Sequence, residues 1–341
     1  MRSIYIMIWA SFLPLSSLGQ TPKLKHSWGC DQCEGPALLS EVLDVGVTAD
    51  GTVLVVDGDA PFLRWFGHDG TSGATGQKGK GPGEFSRPVT LSIGKDGTRY
   101  VVDSTGFQMV RMDASENVLS HLKTPGFPLQ GDIHPLDDTF YLVTLDFRKG
   151  ASSIYRLAEE QWIEIPMRWD FFEDDTQKPM YFAFAAKQEN GFLIGEGGKV
   201  YLSHGFSKSG TPDRTWRRAI PAVLKTKAEM AEEEDSFNQF RNRSGVQVKP
   251  KIQERKRHFY MFSHSFDDSG NLWILAGRSR NQAAIFDIFD VSGTFLHEIA
   301  LTVPIDRFAI NGKWLAGSGT DAQGIPRVYL WQIESGPPTS E

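Results

Sequence analysis

The sequence predicts an all-β fold, a six-bladed β-propeller with a helical insertion between the fourth and fifth blades. The first observation is a repeated unit: DGTVLVVD and DGTRYVVD, which begin at Asp50 and Asp96, agree at six of eight positions and lie 46 residues apart. The second is the regular spacing of this unit, and the third is an alternation of small and large residues along its first strand. Asp-Gly between two apolar runs is typical of a tight hairpin turn, so each unit contains antiparallel strands.

Hairpin turns of this kind recur along the chain and set the number of blades. Their centres lie at Gly51, Gly97, Asp138, Gly191, Gly270 and Gly312. Apolar runs after each turn predict a third strand and, in several units, a fourth. After allowance for the insertion, the spacing averages about 45 residues, which is the size of a four-stranded propeller blade.

The first strands carry small residues on one face and large apolar residues on the other. In the first unit the small positions are Asp44 and Gly46. Innermost strands crowd round a central axis, so one face fits against a close neighbour while the other reaches into the wedge between blades. Counting back from the turns, three polar side chains fall on the large apolar face: Asp132, His134 and His264.

One interval departs from the period, and residues 222–257 account for the excess. The stretch Ala222–Phe240 has strong helix formers and neither Gly nor Pro, which predicts a helix. Its acidic run, Glu232–Asp235, is followed by a basic run, Lys249–Arg257. The insertion is either a solvated helical segment whose charges neutralise each other or a lid that docks a partner.

The two ends of the chain are assigned separately from the ring, which spans residues 38–334. Residues 1–19 combine one positive charge, an apolar run and small residues, which is typical of a cleaved signal peptide. The run is shorter than the roughly 20 apolar residues of a membrane span. We therefore expect an exported protein, periplasmic or extracellular, with no membrane span after cleavage. Residues 335–341 form a C-terminal tail.

Residues 20–37 form an N-terminal segment that is a candidate for closing the ring. The segment contains both cysteines of the chain, Cys30 and Cys33. In an exported protein this pair indicates a small disulfide or two ordinary thiols. A redox role is the alternative, although the strand-helix-strand context of a thioredoxin-like pair is missing.

Composition excludes one class of partner. The 341 residues are 40% apolar and 23% charged, which suits a large globular domain, and the formal net charge is −6. Proteins that bind nucleic acid show a concentrated basic face, so no nucleic-acid partner is expected.

Several motifs together resemble a known family. These are GKGPGEFSRP at residues 79–88, the Asp-Gly turn followed by YVVD, and FDVSG at residues 289–293. They resemble the NHL-repeat and TolB-like six-bladed propellers of exported bacterial proteins, over residues 38–334. The resemblance implies the fold. It leaves the activity open, because such propellers include binding modules as well as lyases and lactonases.

The segments leading into the first strands supply candidate ligand-binding residues at the mouth of the central channel. They form a mixed aromatic and cationic set: Arg87, Gln130, Tyr181, Tyr260 and Arg307, with Asp306 beside the last. Such a set suits an anionic or sugar-like ligand or a peptide, although the same residues could simply cap the rim.

Two functions remain open. The first is a noncatalytic propeller without a cofactor, which binds a protein, peptide or small-molecule ligand at one face of the ring. The alternative is a metal-dependent hydrolase or lyase, in which Asp132, His134 and His264 hold a divalent cation. Against the alternative, these three side chains could be core polar groups bonded to the backbone. Likewise, Asp57 and Asp103 at equivalent strand ends are interpreted as turn caps rather than a cation site.

Overall fold

The structure, a computed structural model, confirms the predicted six-bladed β-propeller: six four-stranded antiparallel sheets follow one another round a ring. The described residues are 21–133, 138–146, 151–167, 182–187, 191–198, 200–244, 252, 254–279 and 282–334, and for residues 21, 151 and 240–244 only the backbone is described. The predicted signal peptide and the C-terminal tail lie outside these ranges.

Each blade is a meander whose strands run outward from the central axis. The first strand of the chain, β1 (Thr21–Trp28), belongs to blade 6. Blade 1 contains β2 (Val42–Val47), β3 (Val53–Asp57), β4 (Leu63–Phe66) and β5 (Ser72–Thr75). Blade 2 contains β6 (Pro88–Ile93), β7 (Arg99–Asp103), β8 (Gln108–Met112) and β9 (Val118–Lys123). Blade 3 contains β10 (Phe127–Ile133), β11 (Phe140–Asp146), β12 (Ala151–Ala158) and β13 (Gln161–Ile165).

The second half of the ring repeats this arrangement. Blade 4 contains β14 (Ala183–Lys187), β15 (Gly191–Glu196), β16 (Leu202–Ser207) and β17 (Pro212–Arg217). Blade 5 contains β18 (His264–Phe266), β19 (Leu272–Leu275), β20 (Ile285–Phe289) and β21 (Phe295–Ala300). Blade 6 contains β22 (Arg307–Asn311), β23 (Trp314–Thr320) and β24 (Pro326–Glu334).

The N-terminal strand closes the ring. Strand β1 pairs antiparallel with β24 and becomes the outermost strand of blade 6, with Trp28 opposite Val328. Blade 6 therefore combines both ends of the described chain. This pairing also covers the edge of β24, whose backbone N–H and C=O groups would otherwise be unpaired.

The hairpin turns explain the repeated Asp-Gly. At Gly51 and Gly97 the backbone φ is 89° and 84°, a left-handed conformation that glycine adopts without steric cost. The third turn has Asp138 with φ of 53° at the matching place. Aspartate tolerates this conformation better than most other residues, which explains how a turn without Asp-Gly keeps the blade repeat.

The hydrophobic core lies between blades. Within the described part of the chain there are six buried clusters, and each is shared by two neighbouring sheets. Between blades 6 and 1, for example, Val45, Val53 and Val55 pack against Ala316 and Leu330. Stability therefore depends on contacts between sheets that neither sheet could make alone.

One predicted side-chain direction is wrong. Asp132 was placed on the large apolar face, yet its carboxylate points to the next blade, as that of Asp44 does. Five residues separate the paired ends Val47 and Val53, whereas six separate Ile133 and Phe140. An extra residue on one side of a turn moves every side chain of that strand to the opposite face.

The predicted insertion contains a helix between blades 4 and 5, α1 (Lys227–Ser244), which begins five residues later than the sequence pattern suggested. Thr226 and Glu229 form a capping box: the Glu229 side chain accepts a bond from Thr226 N at 2.7 Å, and the Thr226 hydroxyl accepts one from Glu229 N at 3.2 Å. This exchange fixes where α1 begins. In the described residues, no helix is long and apolar enough to cross a membrane.

Candidate functional site

We call the end of the ring at which the chain enters the first strand of each blade the upper face. A cleft of about 650 Å³ opens on this face. Its walls are the segments leading into β2, β18 and β22, the β19–β20 and β23–β24 connections, and Glu233 of α1. The cleft therefore joins the insertion to blades 5, 6 and 1.

Arg307 is held in the cleft wall by two hydrogen bonds and an aromatic ring. Its Nε donates to the carbonyl of Leu43 in blade 1 at 3.0 Å, and its Nη1 donates to the carbonyl of Asp306 at 3.0 Å. The guanidinium carbon lies 4.3 Å from the centre of the Phe262 ring. Two backbone acceptors and an aromatic face thus fix the orientation of a planar cation in the wall.

Phe262 lies under this guanidinium in a strained backbone conformation. Its φ is 60°, a left-handed value that costs a residue with a large side chain about 1–3 kcal/mol. The sequence pattern placed Phe262 inside the first strand of blade 5, but β18 begins only at His264. The left-handed turn at this position carries the aromatic ring into the cleft wall instead of continuing the strand.

A buried hydrogen-bond chain supports the same turn. The Ser263 hydroxyl donates to the carbonyl of Tyr260, and His264 lies 2.9 Å from Ser263 Oγ through Nδ1 and 2.9 Å from Ser203 Oγ through Nε2. Because Ser263 uses its proton on Tyr260, His264 Nδ1 donates and Nε2 accepts. Burial lowers the pKa of His264 to about 3, so the ring is neutral. His264 thereby holds the segment that carries Tyr260 and Phe262.

Backbone bonds and ion pairs hold the insertion in place. Lys225 N donates to Glu254 O and Lys256 N donates to Val223 O, both at 2.8 Å, which closes the base of the insertion. Lys256 Nζ lies 2.6 Å from Glu229, and a second ion pair joins Lys225 to Glu233 of α1. The hydrogen bond from Lys256 is the main cause that lowers the pKa of Glu229 to about 2.

The cleft contains charges of both signs. Among the described residues its charged lining consists of Glu41, Glu233, Arg257, Asp306 and Arg307. The acidic run and the basic run of the insertion each supply one of them, Glu233 and Arg257. One residue from each charge run of the insertion therefore lines the cleft.

The predicted ligand-binding residues have different positions. Tyr260 and Arg307 line the same cleft. Arg87 is exposed and lies outside the cleft lining, where its backbone N–H donates to Asp103 at 2.8 Å. Gln130 is only 5% exposed, and its Nε2 donates to the carbonyl of Phe184 in the next blade at 2.9 Å. Tyr181 lies outside the described residues.

Of the three candidate metal ligands, the structure describes Asp132 and His264, and both are hydrogen-bonded within the protein. Asp132 accepts hydrogen bonds from Ile133 N at 2.9 Å and Ala186 N at 2.8 Å. His264 uses both ring nitrogens on serines, on the side of blade 5 that faces β16. His134 lies outside the described residues. The part of the chain that the structure describes has no group of three His, Cys, Asp or Glu residues that could hold a metal ion.

Two carboxylates tie neighbouring inner strands together. Asp44 accepts a bond from Leu91 N of blade 2 at 2.8 Å, in the same way that Asp132 accepts one from Ala186 N of blade 4. Both side chains are partly exposed, yet the inner strands displace most of the water around them. This burial raises the pKa of Asp44 to about 7 and that of Asp132 to about 6. The Arg307 charge opposes the effect at Asp44.

Asp57 and Asp103 cap loops and also hold the segments leading into the first strands. Asp103 accepts bonds from Ser86 N at 2.7 Å, Arg87 N at 2.8 Å and Gly106 N at 2.9 Å. Asp57 accepts bonds from the equivalent segment of blade 1. It also forms an ion pair with Arg64 Nε at 2.8 Å. These acids fix the upper face by satisfying backbone donors that the strands leave unpaired.

Sequence reasoning missed the role of Phe262 and Glu233 in the cleft. Phe262 looked like a strand residue because no sequence pattern reports a left-handed backbone at an aromatic position. Glu233 belongs to an acidic run that the sequence allows either as a solvated helix surface or as part of a docking lid. The only available indication was that an insertion interrupting a regular repeat tends to lie on a binding face.

Comparison with known proteins supports the fold alone. No protein-family model matches the chain. No curated protein matches it either. Among solved structures, a catalytically inactive virginiamycin B lyase from Staphylococcus aureus, solved with quinupristin, is 10% identical; the match covers 94% of this chain and 97% of that chain, with a TM-score of 0.50.

Two further structures give similar values. A putative exported protein from Bacteroides fragilis is 10% identical, with coverage of 93% and 95% and a TM-score of 0.51. A gluconolactonase from Xanthomonas campestris is 11% identical, with coverage of 93% and 100% and a TM-score of 0.50. At such identities the shared feature is the propeller, because one fold hosts many unrelated activities.

Proposed function

We propose that this chain is an exported, noncatalytic six-bladed propeller of the NHL-repeat or TolB-like kind, which binds a ligand in the cleft of its upper face. The observation that carries the proposal is the wall formed by Arg307, Phe262 and Tyr260. There a cation with fixed orientation, an aromatic ring and a strained turn meet in one cavity.

The cleft has the physical properties of a small-molecule site. Its volume of about 650 Å³ falls within the usual range for ligand pockets. Its wall combines apolar and aromatic side chains with five charged residues and several hydroxyl groups, and polar groups held in place in this way give a bound ligand its orientation. The strained Phe262 backbone is also typical of functional sites, where surrounding structure holds a costly conformation in place.

Two features support export. Residues 1–19 have the composition of a signal peptide, and Cys30 is bonded to Cys33. Disulfides form and persist in oxidising compartments such as the periplasm and the cell exterior. Detection of mature protein that begins near Gln20 in an exported fraction would test this part of the proposal. Retention of residues 1–19 on the cellular protein would contradict it.

Ligand-induced stabilisation tests the binding site. A diverse small-molecule set is screened by thermal shift against the chain lacking residues 1–19, since a ligand at 100 times its Kd adds about 2.7 kcal/mol to stability. We expect a stabilising ligand whose effect is lost in Arg307→Ala and Phe262→Ala. The matched control is Arg87→Ala, which removes an exposed arginine of the same face. Equal stabilisation of all three variants would place the ligand elsewhere.

The alternative function is a metal-dependent hydrolase or lyase in the central channel. Propellers named as a lyase and a gluconolactonase share the fold, which keeps this function open. Metal analysis of the purified chain separates the two proposals. Stoichiometric divalent metal that is lost in a His134→Ala and His264→Ala double variant, together with hydrolysis or elimination that depends on it, would replace the noncatalytic proposal.

A further inference from the structure

We infer that the ligand of the cleft is a small molecule with a primary ammonium group on an apolar chain. The inference rests on the proposed function and adds the chemical class of the ligand. Its basis is an imbalance in the lining: both cationic side chains interact within the protein, whereas two carboxylates and one buried hydroxyl have no partner among the described residues. These three groups belong to Glu41, Asp306 and Ser318, which all line the cleft of about 650 Å³.

The positive charges of the lining are used inside the protein. Arg307 donates hydrogen bonds to two backbone carbonyls and stacks on an aromatic ring, and its charge also acts on Asp44. Arg257 likewise has an interaction within the protein. An anionic ligand would therefore compete with contacts that these arginines already make, which disfavours an anion in this cleft.

Two acids of the lining are available to a ligand. Glu233 is not one of them, because it is paired with Lys225. Glu41 and Asp306 are exposed, and in the part of the chain that the structure describes neither carboxylate forms an ion pair or a hydrogen bond. A cation that enters the cleft thus meets two carboxylates without displacing a cation of the protein.

The junction of blades 6 and 1 brings these two acids together. Asp306 stands directly before Arg307, and Arg307 Nε donates to Leu43 O at 3.0 Å, two residues after Glu41. Arg307 thereby ties the segment that carries Glu41 to the start of blade 6. Its role is to shape the site and not to pair with the ligand, which agrees with the loss of binding expected in Arg307→Ala.

Ser318 supplies an independent indication of a ligand. It is 2% exposed and lines the cleft, and its hydroxyl has no hydrogen-bond partner within the described ranges. Along β23, Trp314 and Ala316 pack toward blade 1, and Ser318 continues this face by alternation. Its carbonyl accepts a bond from Asp306 N at 2.7 Å, so the two residues are neighbours. A buried hydroxyl without a partner is costly, and a ligand that donates to it removes this cost.

A primary ammonium suits these groups better than other organic cations. It carries three N–H donors, which match two carboxylates and the Ser318 hydroxyl, and its bonds to the carboxylates are charge-assisted. A quaternary ammonium has no N–H and binds open aromatic faces, but the Arg307 guanidinium covers one face of Phe262 at 4.3 Å. The remaining lining includes apolar residues that suit an apolar chain: Val42, Met261, Leu275, Ile305 and Pro326.

Titration followed by NMR tests the inference with four probes that share one alkyl chain: hexylamine, hexanol, hexanoate and hexyltrimethylammonium. Hexylamine is protonated at pH 7, because the pKa of an alkylammonium group lies near that of lysine, about 10.4. We expect hexylamine to bind with a Kd on the order of 1 mM, as suits a ligand of this size. The other three probes should bind about tenfold more weakly or less, since none makes the charge-assisted N–H contacts.

Two variants of the cleft and one control locate the binding. In a Glu41→Gln and Asp306→Asn double variant, hexylamine should weaken about tenfold or more, while hexanol stays unchanged. In Ser318→Ala, hexylamine should weaken about threefold or more. The matched control is an Asp31→Asn and Glu34→Gln double variant, which removes two exposed acids outside the cleft and should leave every affinity unchanged. Unchanged thermal unfolding of each variant excludes misfolding as the cause of lost binding.

Hexylamine that binds no more tightly than hexanol, or equally well to the double variant of the cleft, would overturn the inference. Tighter binding of hexanoate would overturn it as well, in favour of an anionic ligand. In each of these cases the proposed function stands if a screened ligand depends on Arg307 and Phe262. The proposed function fails separately if no ligand, hexylamine included, depends on these two residues.

Discussion

Asp57 and Asp103 allow the contribution of a buried ion pair to be measured inside one fold. Both acids end the second strand of a blade and accept backbone N–H groups from the segment leading into the first strand. They differ in the neighbouring strand: Arg64 faces Asp57 in blade 1, whereas Val110 occupies the matching register position in blade 2. Replacement of each acid by alanine therefore removes similar backbone contacts, but only one ion pair.

The expected magnitudes follow from burial. Asp103→Ala leaves three backbone donors near the surface without their carboxylate, at a cost of about 1–3 kcal/mol. Asp57→Ala also removes the carboxylate that pairs with the Arg64 guanidinium. Arg64 is 5% exposed and would retain only long bonds to Gly35 O at 3.3 Å and Pro36 O at 3.4 Å. Removing one partner of a buried pair costs about 3–5 kcal/mol.

Urea unfolding followed by circular dichroism measures both variants. A third protein, Asp57→Ala with Arg64→Val, copies the blade 2 arrangement and should recover most of the difference, because no buried charge remains. The reasoning is refuted if Asp57→Ala and Asp103→Ala unfold at the same urea concentration with equal slopes. It is also refuted if Arg64→Val gives no recovery.

Three further results are expected. Burial raises the pKa of Asp44 from 3.8 to about 7, so between these pH values the folded chain keeps a proton that the unfolded chain loses. The free energy of unfolding should therefore fall by about 2–4 kcal/mol between about pH 4 and pH 7. Urea titrations at several pH values should show a smaller fall in Asp44→Asn. Gly131→Ala would place a Cβ 2.4 Å from the Phe140 ring and should cost about 1–3 kcal/mol by thermal unfolding, whereas an unchanged midpoint would contradict this packing. Thr226→Ala removes the capping box of Glu229 and should cost about 1 kcal/mol locally, seen as faster hydrogen exchange in α1 with unchanged blades; unchanged exchange in α1 would argue against the cap.

Much of the fold could be predicted because its signals are local. The hairpins follow from turn chemistry, as the left-handed Gly51 and Gly97 show, and the turns are spaced evenly enough to count blades. The face of Asp132 could not be predicted, because one additional turn residue reverses the alternation and no turn residue reveals it. The start of α1 was placed too early because residues that favour helices already occur before the capping box at Thr226.

The candidate site was predictable in part. Tyr260 and Arg307 were selected because they lie just before first strands, and all such segments meet at one end of a propeller. Gln130 was selected by the same rule, but β10 already begins at Phe127, so Gln130 lies within the strand and its side chain bonds the next blade from the interior. Sequence position therefore indicates the face of the ring, while exposure depends on the local backbone.

The amino-acid sequence alone determined the number of blades, the hairpin turns and the presence of a charged helical insertion, since each depends on residues close together in the chain. The tertiary structure decided which of these features form a site. Arg307 bonds the carbonyl of Leu43, 264 residues earlier, and does so only because the ring brings blade 6 against blade 1. Contacts at such separation arise from the packing of whole sheets, and no local pattern encodes them.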